Sequence, residues 1–106
     1  MRYITVQELK QKMEKKEPYQ LLDTRDRDKF LQGHIPTAVN IPQIDLPESI
    51  DLLETEIPLI IYCAYGKRSQ APFLYLKEKK KFKNLYILEG GLFEWANTYD
   101  ENLPVL

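Results

Sequence analysis

The residues best placed to do chemistry are Cys63-Ala64-Tyr65-Gly66-Lys67-Arg68-Ser69. They follow directly on the apolar run Leu59-Ile60-Ile61-Tyr62, and Cys63 is the chain's only cysteine. Thiolate is the reactive form of cysteine, and neighbouring cations favour it. A tight turn adds backbone N–H groups, and a helix starting there adds its positive end. A thiol at a strand end, then a glycine and two cations, therefore suggests a nucleophile in an anion cradle. A cysteine kept only for packing would be expected inside Leu59–Tyr62, and Gly66 permits a close or strained backbone where Ala64 or Tyr65 would not.

No catalytic dyad can be assembled around this thiol. The only histidine, His34, lies in Gly33-His34-Ile35-Pro36, beside a turn glycine and a proline. It reads as a structural histidine bonded to backbone rather than a base. Without a base, the loop itself must stabilise the thiolate. That suits attack on a soft, electron-poor atom whose leaving group needs no proton. One cysteine and one histidine, far apart, give no zinc spacing, so no metal is expected. Gly90-Gly91 alone is too weak to mark a nucleotide loop, and no cofactor is expected.

The positioning elements can be read from pattern. Thr5-Val6-Gln7-Glu8 forms a capping box, opening a helix to about Lys15 with Val6, Leu9 and Met13 on one face. Pro18 blocks its continuation. Tyr19–Leu22 reads as a strand ending in Asp23-Thr24-Arg25. Asp26 caps a short helix through Phe30-Leu31 that stops at Gly33. Ala38–Ile41 is a short strand between prolines, and Pro47 opens a helix carrying Ile50, Leu52 and Leu53. Pro58–Tyr62 is apolar on both faces, which places it mid-sheet. Ala71–Lys80 is expected as a helix with Phe73, Leu74 and Leu76 inward. Leu85–Leu88 is the last strand, Glu89-Gly90-Gly91 a turn, and Leu92–Tyr99 a helix bearing Trp95. Strands alternating with helices make an α/β domain with a mostly parallel sheet. Ligands bind such sheets beyond the carboxyl ends of strands, where Cys63 lies.

The chain has 106 residues, 43% hydrophobic and 29% charged, with a net charge of −1. One domain over residues 1–106 is expected, with no linker or repeat. The near-neutral balance excludes a global field for nucleic acid or membrane surfaces. No run is long enough to span a bilayer, and Met1–Thr5 lacks a signal-like apolar core. A lone cysteine forms no internal disulfide, so a reducing, cytoplasmic setting is the default. The lysines from Lys77 to Lys83 read as the exposed end of a helix.

Four segments, in order, resemble the rhodanese (sulfurtransferase) family. Asp23-Thr24-Arg25 resembles its Asp-x-Arg. Phe30 to Pro42 resembles its aromatic-x-x-Gly-His-Ile-Pro-Gly-Ala-x-Asn-Ile-Pro stretch. Cys63 to Arg68 resembles its active-site loop, and Gly90 to Trp95 its Gly-Gly-x-x-x-Trp signature. The resemblance implies a rhodanese-like three-layer α/β/α fold with a central five-stranded sheet. It implies that Cys63 takes a sulfane sulfur from a small anionic donor such as thiosulfate, becomes a persulfide, and passes the sulfur to cyanide, a thiol or a sulfur-accepting protein. Loop N–H groups from Ala64 to Ser69 would hold the persulfide, and Lys67 and Arg68 would attract the donor. Asp23 and Arg25 would form a supporting ion pair, Trp95 would pack in the core, and Tyr65 would stand at the pocket rim.

Four residues separate Cys63 from Arg68. Phosphatases and arsenate reductases of similar architecture have five, which suits a phosphoryl oxyanion; the shorter loop resembles that of the sulfur-transferring members. A non-catalytic docking module is the alternative, and retention of the cysteine and its cations argues against it. Two departures stand out. Thr37 replaces the usual glycine, so a turn tolerant of a β-branched residue is expected. Lys29 replaces a common glutamate, so Arg25 is expected to pair elsewhere, with Asp26 or Asp28.

Overall fold

The computed structural model describes all residues, 1–106. Five parallel strands form one sheet in the order β1-β5-β4-β2-β3. They are β1 (Tyr3–Ile4), β2 (Gln20–Asp23), β3 (Val39–Asn40), β4 (Leu59–Tyr62) and β5 (Leu85–Leu88). The helices are α1 (Val6–Glu14), α2 (Arg27–Gln32), α3 (Leu46–Ser49), α4 (Gln70–Glu78) and α5 (Gly91–Tyr99). Single turns of 3-10 helix flank α3 at Gln43–Asp45 and Ile50–Leu52.

β4 is central, and all four of its side chains are buried. They alternate between two cores, as a pleated strand requires. Ile60 and Tyr62 join Val6 and Leu9 of α1 and Leu92 and Trp95 of α5. Leu59 and Ile61 join Leu46 of α3 and Phe73 and Leu76 of α4 on the other face. Helices thus cover both sheet faces, and the carboxyl end of β4 stays open.

The capping box is present: Glu8 N–H donates to Thr5 Oγ1 at 3.1 Å, and Thr5 N–H to Glu8 Oε1 at 2.9 Å. Sequence pattern misses β1, whose two residues are too few to show a period; it pairs with β5 at Tyr3↔Ile87 and Ile4↔Leu88. Leu74 is a correction: it is 47% exposed, because Pro72, Phe73 and Leu76 already fill the inward face of α4. Asp26 sits at the N-cap of α2, but its side chain makes no capping bond. Gly33 ends α2 in extended backbone (φ 168°), not the left-handed form. Its lack of a side chain serves close packing, since a Cβ there would stand 2.8 Å from Leu103 Cδ1. Thr37 does not relax its turn. It adopts the left-handed conformation itself (φ 75°), and its Oγ1 lies 2.8 Å from the Tyr19 hydroxyl.

Candidate active site

The ends of β2 and β4 are fastened together one residue before Cys63. Tyr62 carbonyl oxygen accepts from Thr24 N–H at 3.2 Å and from Thr24 Oγ1 at 3.3 Å. The Tyr62 hydroxyl accepts from Ile35 N–H at 3.2 Å. Burial pushes the Tyr62 phenol well above its ordinary value, and the negative charge of Asp23 adds to that. Tyr62 is therefore a neutral prop.

Asp23 and Arg25 form a buried ion pair, with Nη2 2.8 Å from Oδ2 and Nε 3.1 Å from both carboxylate oxygens. Arg25 Nη2 also donates to the Gly33 carbonyl. Arg25 thus pairs with Asp23, and neither Asp26 nor Asp28 takes the place of the missing glutamate. Arg25 Nη1 is left buried without an acceptor. His34 Nδ1 donates to the Phe30 carbonyl at 2.8 Å, and its ring stacks on Phe30 at 3.8 Å. These contacts bind the Gly33–Ile35 segment to the ends of β2 and β4.

Cys63 is only 3% exposed, so it is reached almost solely from the cleft it lines. Gly66 N–H donates to its Sγ at 3.1 Å. Gly66 has φ 99°, a conformation that side chains resist. None of the N–H groups from Ala64 to Ser69 donates to a backbone carbonyl, which leaves four donors on cleft-lining residues, those of Ala64, Tyr65, Lys67 and Arg68, beside the Gly66 N–H. Two of them are oriented by α5. Leu92 N–H donates to Cys63 oxygen at 2.9 Å, and Phe93 N–H to Ala64 oxygen at 2.8 Å. In a trans peptide N–H opposes C=O, so Ala64 and Tyr65 N–H point away from α5. The loop carbonyls in turn cap the first turn of α5. Gly91 is what lets the two segments meet, since a Cβ there would stand 2.9 Å from Gly66 nitrogen.

The cleft holds about 700 Å³. Of the loop residues named from sequence, Cys63, Ala64, Tyr65, Lys67 and Arg68 line it, while Gly66 acts through its N–H. Ser69 is not in the wall: it is fully buried, and its Oγ has no partner. Tyr65 is 62% exposed at the rim and leans on Phe93, ring centres 5.6 Å apart. Asp23 and His34 support from behind. Lys67 and Arg68 form no salt bridge. Sequence reasoning missed Thr24, Asp26, Lys29, Gln43, Ile44 and Leu106, which complete the wall. Thr24 and Asp26 follow β2, so the rule for parallel sheets could have found them. Gln43, Ile44 and Leu106 carry no local signal.

A family model described as "Rhodanese-like domain" matches residues 5–98. The chain belongs to the rhodanese-like family. It is 34% identical over 94 residues to the thiosulfate sulfurtransferase GlpE of Shewanella oneidensis, covering 89% of this chain and 91% of that one. It is 32% identical over 83 residues to the GlpE of Stutzerimonas stutzeri, covering 78% and 75%. Among solved structures, a rhodanese-like domain protein from Staphylococcus aureus superposes with a TM-score of 0.84 at 31% identity, covering 100% of this chain and 99% of that one. The fold is thus a rhodanese fold, and the named relatives support sulfurtransferase activity in general. No helix of this chain is long and apolar enough to cross a membrane.

Proposed function

We propose that this protein is a sulfurtransferase that carries a sulfane sulfur on Cys63. The observation that carries the reading is the Gly66 N–H donating to Cys63 Sγ, within a loop whose other N–H groups have no backbone acceptor. Unpaired backbone donors in the loop that holds the thiol are suited to an anion on Cys63.

With thiosulfate as donor, the Cys63 thiolate attacks the outer sulfur. The S–S bond breaks, and sulfite leaves with its electron pair, so no proton is needed. Cys63 then bears a persulfide anion. Lys67 and Arg68 offset the charge of the incoming dianion and of departing sulfite. An acceptor completes the cycle. Cyanide attacks the terminal sulfur, thiocyanate leaves, and the thiolate is restored; a thiol or a thiol-bearing protein can take the sulfur in the same way. With no second cysteine in the chain, no internal disulfide can intercept the persulfide.

The test is thiocyanate formation from thiosulfate and cyanide. Wild type should turn over, Cys63→Ser should not, and Lys67→Ala and Arg68→Ala should raise the KM for thiosulfate. Turnover by Cys63→Ser equal to wild type would refute the assignment.

A further inference from the structure

The cleft is much larger than a five-atom oxyanion. A volume of about 700 Å³ is in the range that takes a whole organic ligand. Its wall is also charged away from the loop. Lys29, on α2, lines the cleft, is partly buried and forms no salt bridge. The α2 helix follows β2, whereas the Cys63 loop follows the adjacent β4, so Lys29 approaches from a different strand end. Beside it in the wall is Arg25, whose Nη1 is a buried donor lacking an acceptor. Asp26 is the one acidic side chain in the wall, and it is exposed. Exposed Ile44 and Tyr65 supply apolar surface in the same cleft.

We propose that Lys29 is a specificity residue that binds an anionic group remote from the reacting sulfur. The preferred small acceptor is then a thiol carrying a carboxylate at the far end of a short apolar chain. This rests on the sulfur-carrying role of Cys63. The thiolate attacks the terminal sulfur of the Cys63 persulfide, the S–S bond to Cys63 breaks, and Cys63 leaves as thiolate while the acceptor departs as its own persulfide. Lys29 takes no part in bond making; it holds the carboxylate while the apolar chain lies along Ile44 and Tyr65.

The test uses protein first charged with thiosulfate and freed of excess donor. Loss of the extra sulfur is followed by intact mass against the concentration of gamma-mercaptobutyrate or its uncharged amide, two thiols of nearly the same shape. Wild type should half-saturate with the acid at a concentration about tenfold below that for the amide. Lys29→Glu should bring the ratio to about one or reverse it, and Lys29→Met should fall between. Equal half-saturation in wild type, or an unchanged ratio in Lys29→Glu, would overturn the proposal. Failure of the wild type to acquire sulfur at all would instead overturn the role of Cys63, and this proposal with it.

Discussion

The α-carbon of Gly91 packs against the carbonyl oxygen of Cys63. A Cβ at position 91 would clash with that oxygen and lie 2.9 Å from Gly66 nitrogen, and Gly91 has φ 59°. The first turn of α5 can therefore donate to the Cys63 peptide only because residue 91 has no side chain. Gly91 thus shapes the Cys63 loop through its backbone alone.

Gly91→Ala combines left-handed strain with a clash against backbone that cannot easily yield. Its expected cost is about 2–4 kcal/mol of folding stability, read by urea denaturation. In the fraction that stays folded, the loop must shift, so sulfur loading of Cys63 should also slow.

Asp23→Asn leaves the buried Arg25 charge without its counter-ion. The expected loss is about 3–5 kcal/mol, measured by thermal and denaturant unfolding. A loss typical of a surface ion pair, below about 1 kcal/mol, would show that Arg25 is not held as described.

Thr37→Asn should stabilise the protein. Asparagine accepts the left-handed backbone that threonine resists, so a gain of about 0.5–1 kcal/mol is expected despite the altered contact with Tyr19. Calorimetry reads it directly.

Glu8 is held below its usual carboxylate value by its bond to the Thr5 backbone N–H and then by the Thr5 hydroxyl. A lowered folded-state value means that the charged form is favoured by folding. The contribution is complete above the ordinary value of 4.5 and is lost as pH falls through the lower folded one. Wild type should thus exceed Glu8→Gln in stability at neutral pH, and the difference should shrink toward acid. Paired urea titrations at neutral and acidic pH check this.

The sequence made some features legible because local pattern decides them. The apolar run of β4, the Thr5–Glu8 box and the lone thiol with its cations each declare themselves within a few residues. The packing of Gly91 on Cys63 depends on two segments nearly thirty positions apart, and no local pattern encodes it. The same holds for Lys29, Gln43 and Ile44, which reach the cleft only because β2, β3 and β4 are neighbours in the sheet. Leu74 misled because α4 has more apolar residues than its buried face can hold. Thr37 misled because the turn kept its left-handed backbone and imposed it on a β-branched residue.

The central claim is that Cys63 carries sulfur, and intact mass after incubation with thiosulfate tests it most directly. Wild type should gain one sulfur atom, lose it on addition of cyanide, and show neither change as Cys63→Ser. Wild type that gains no sulfur, or Cys63→Ser that gains it equally, would contradict the account.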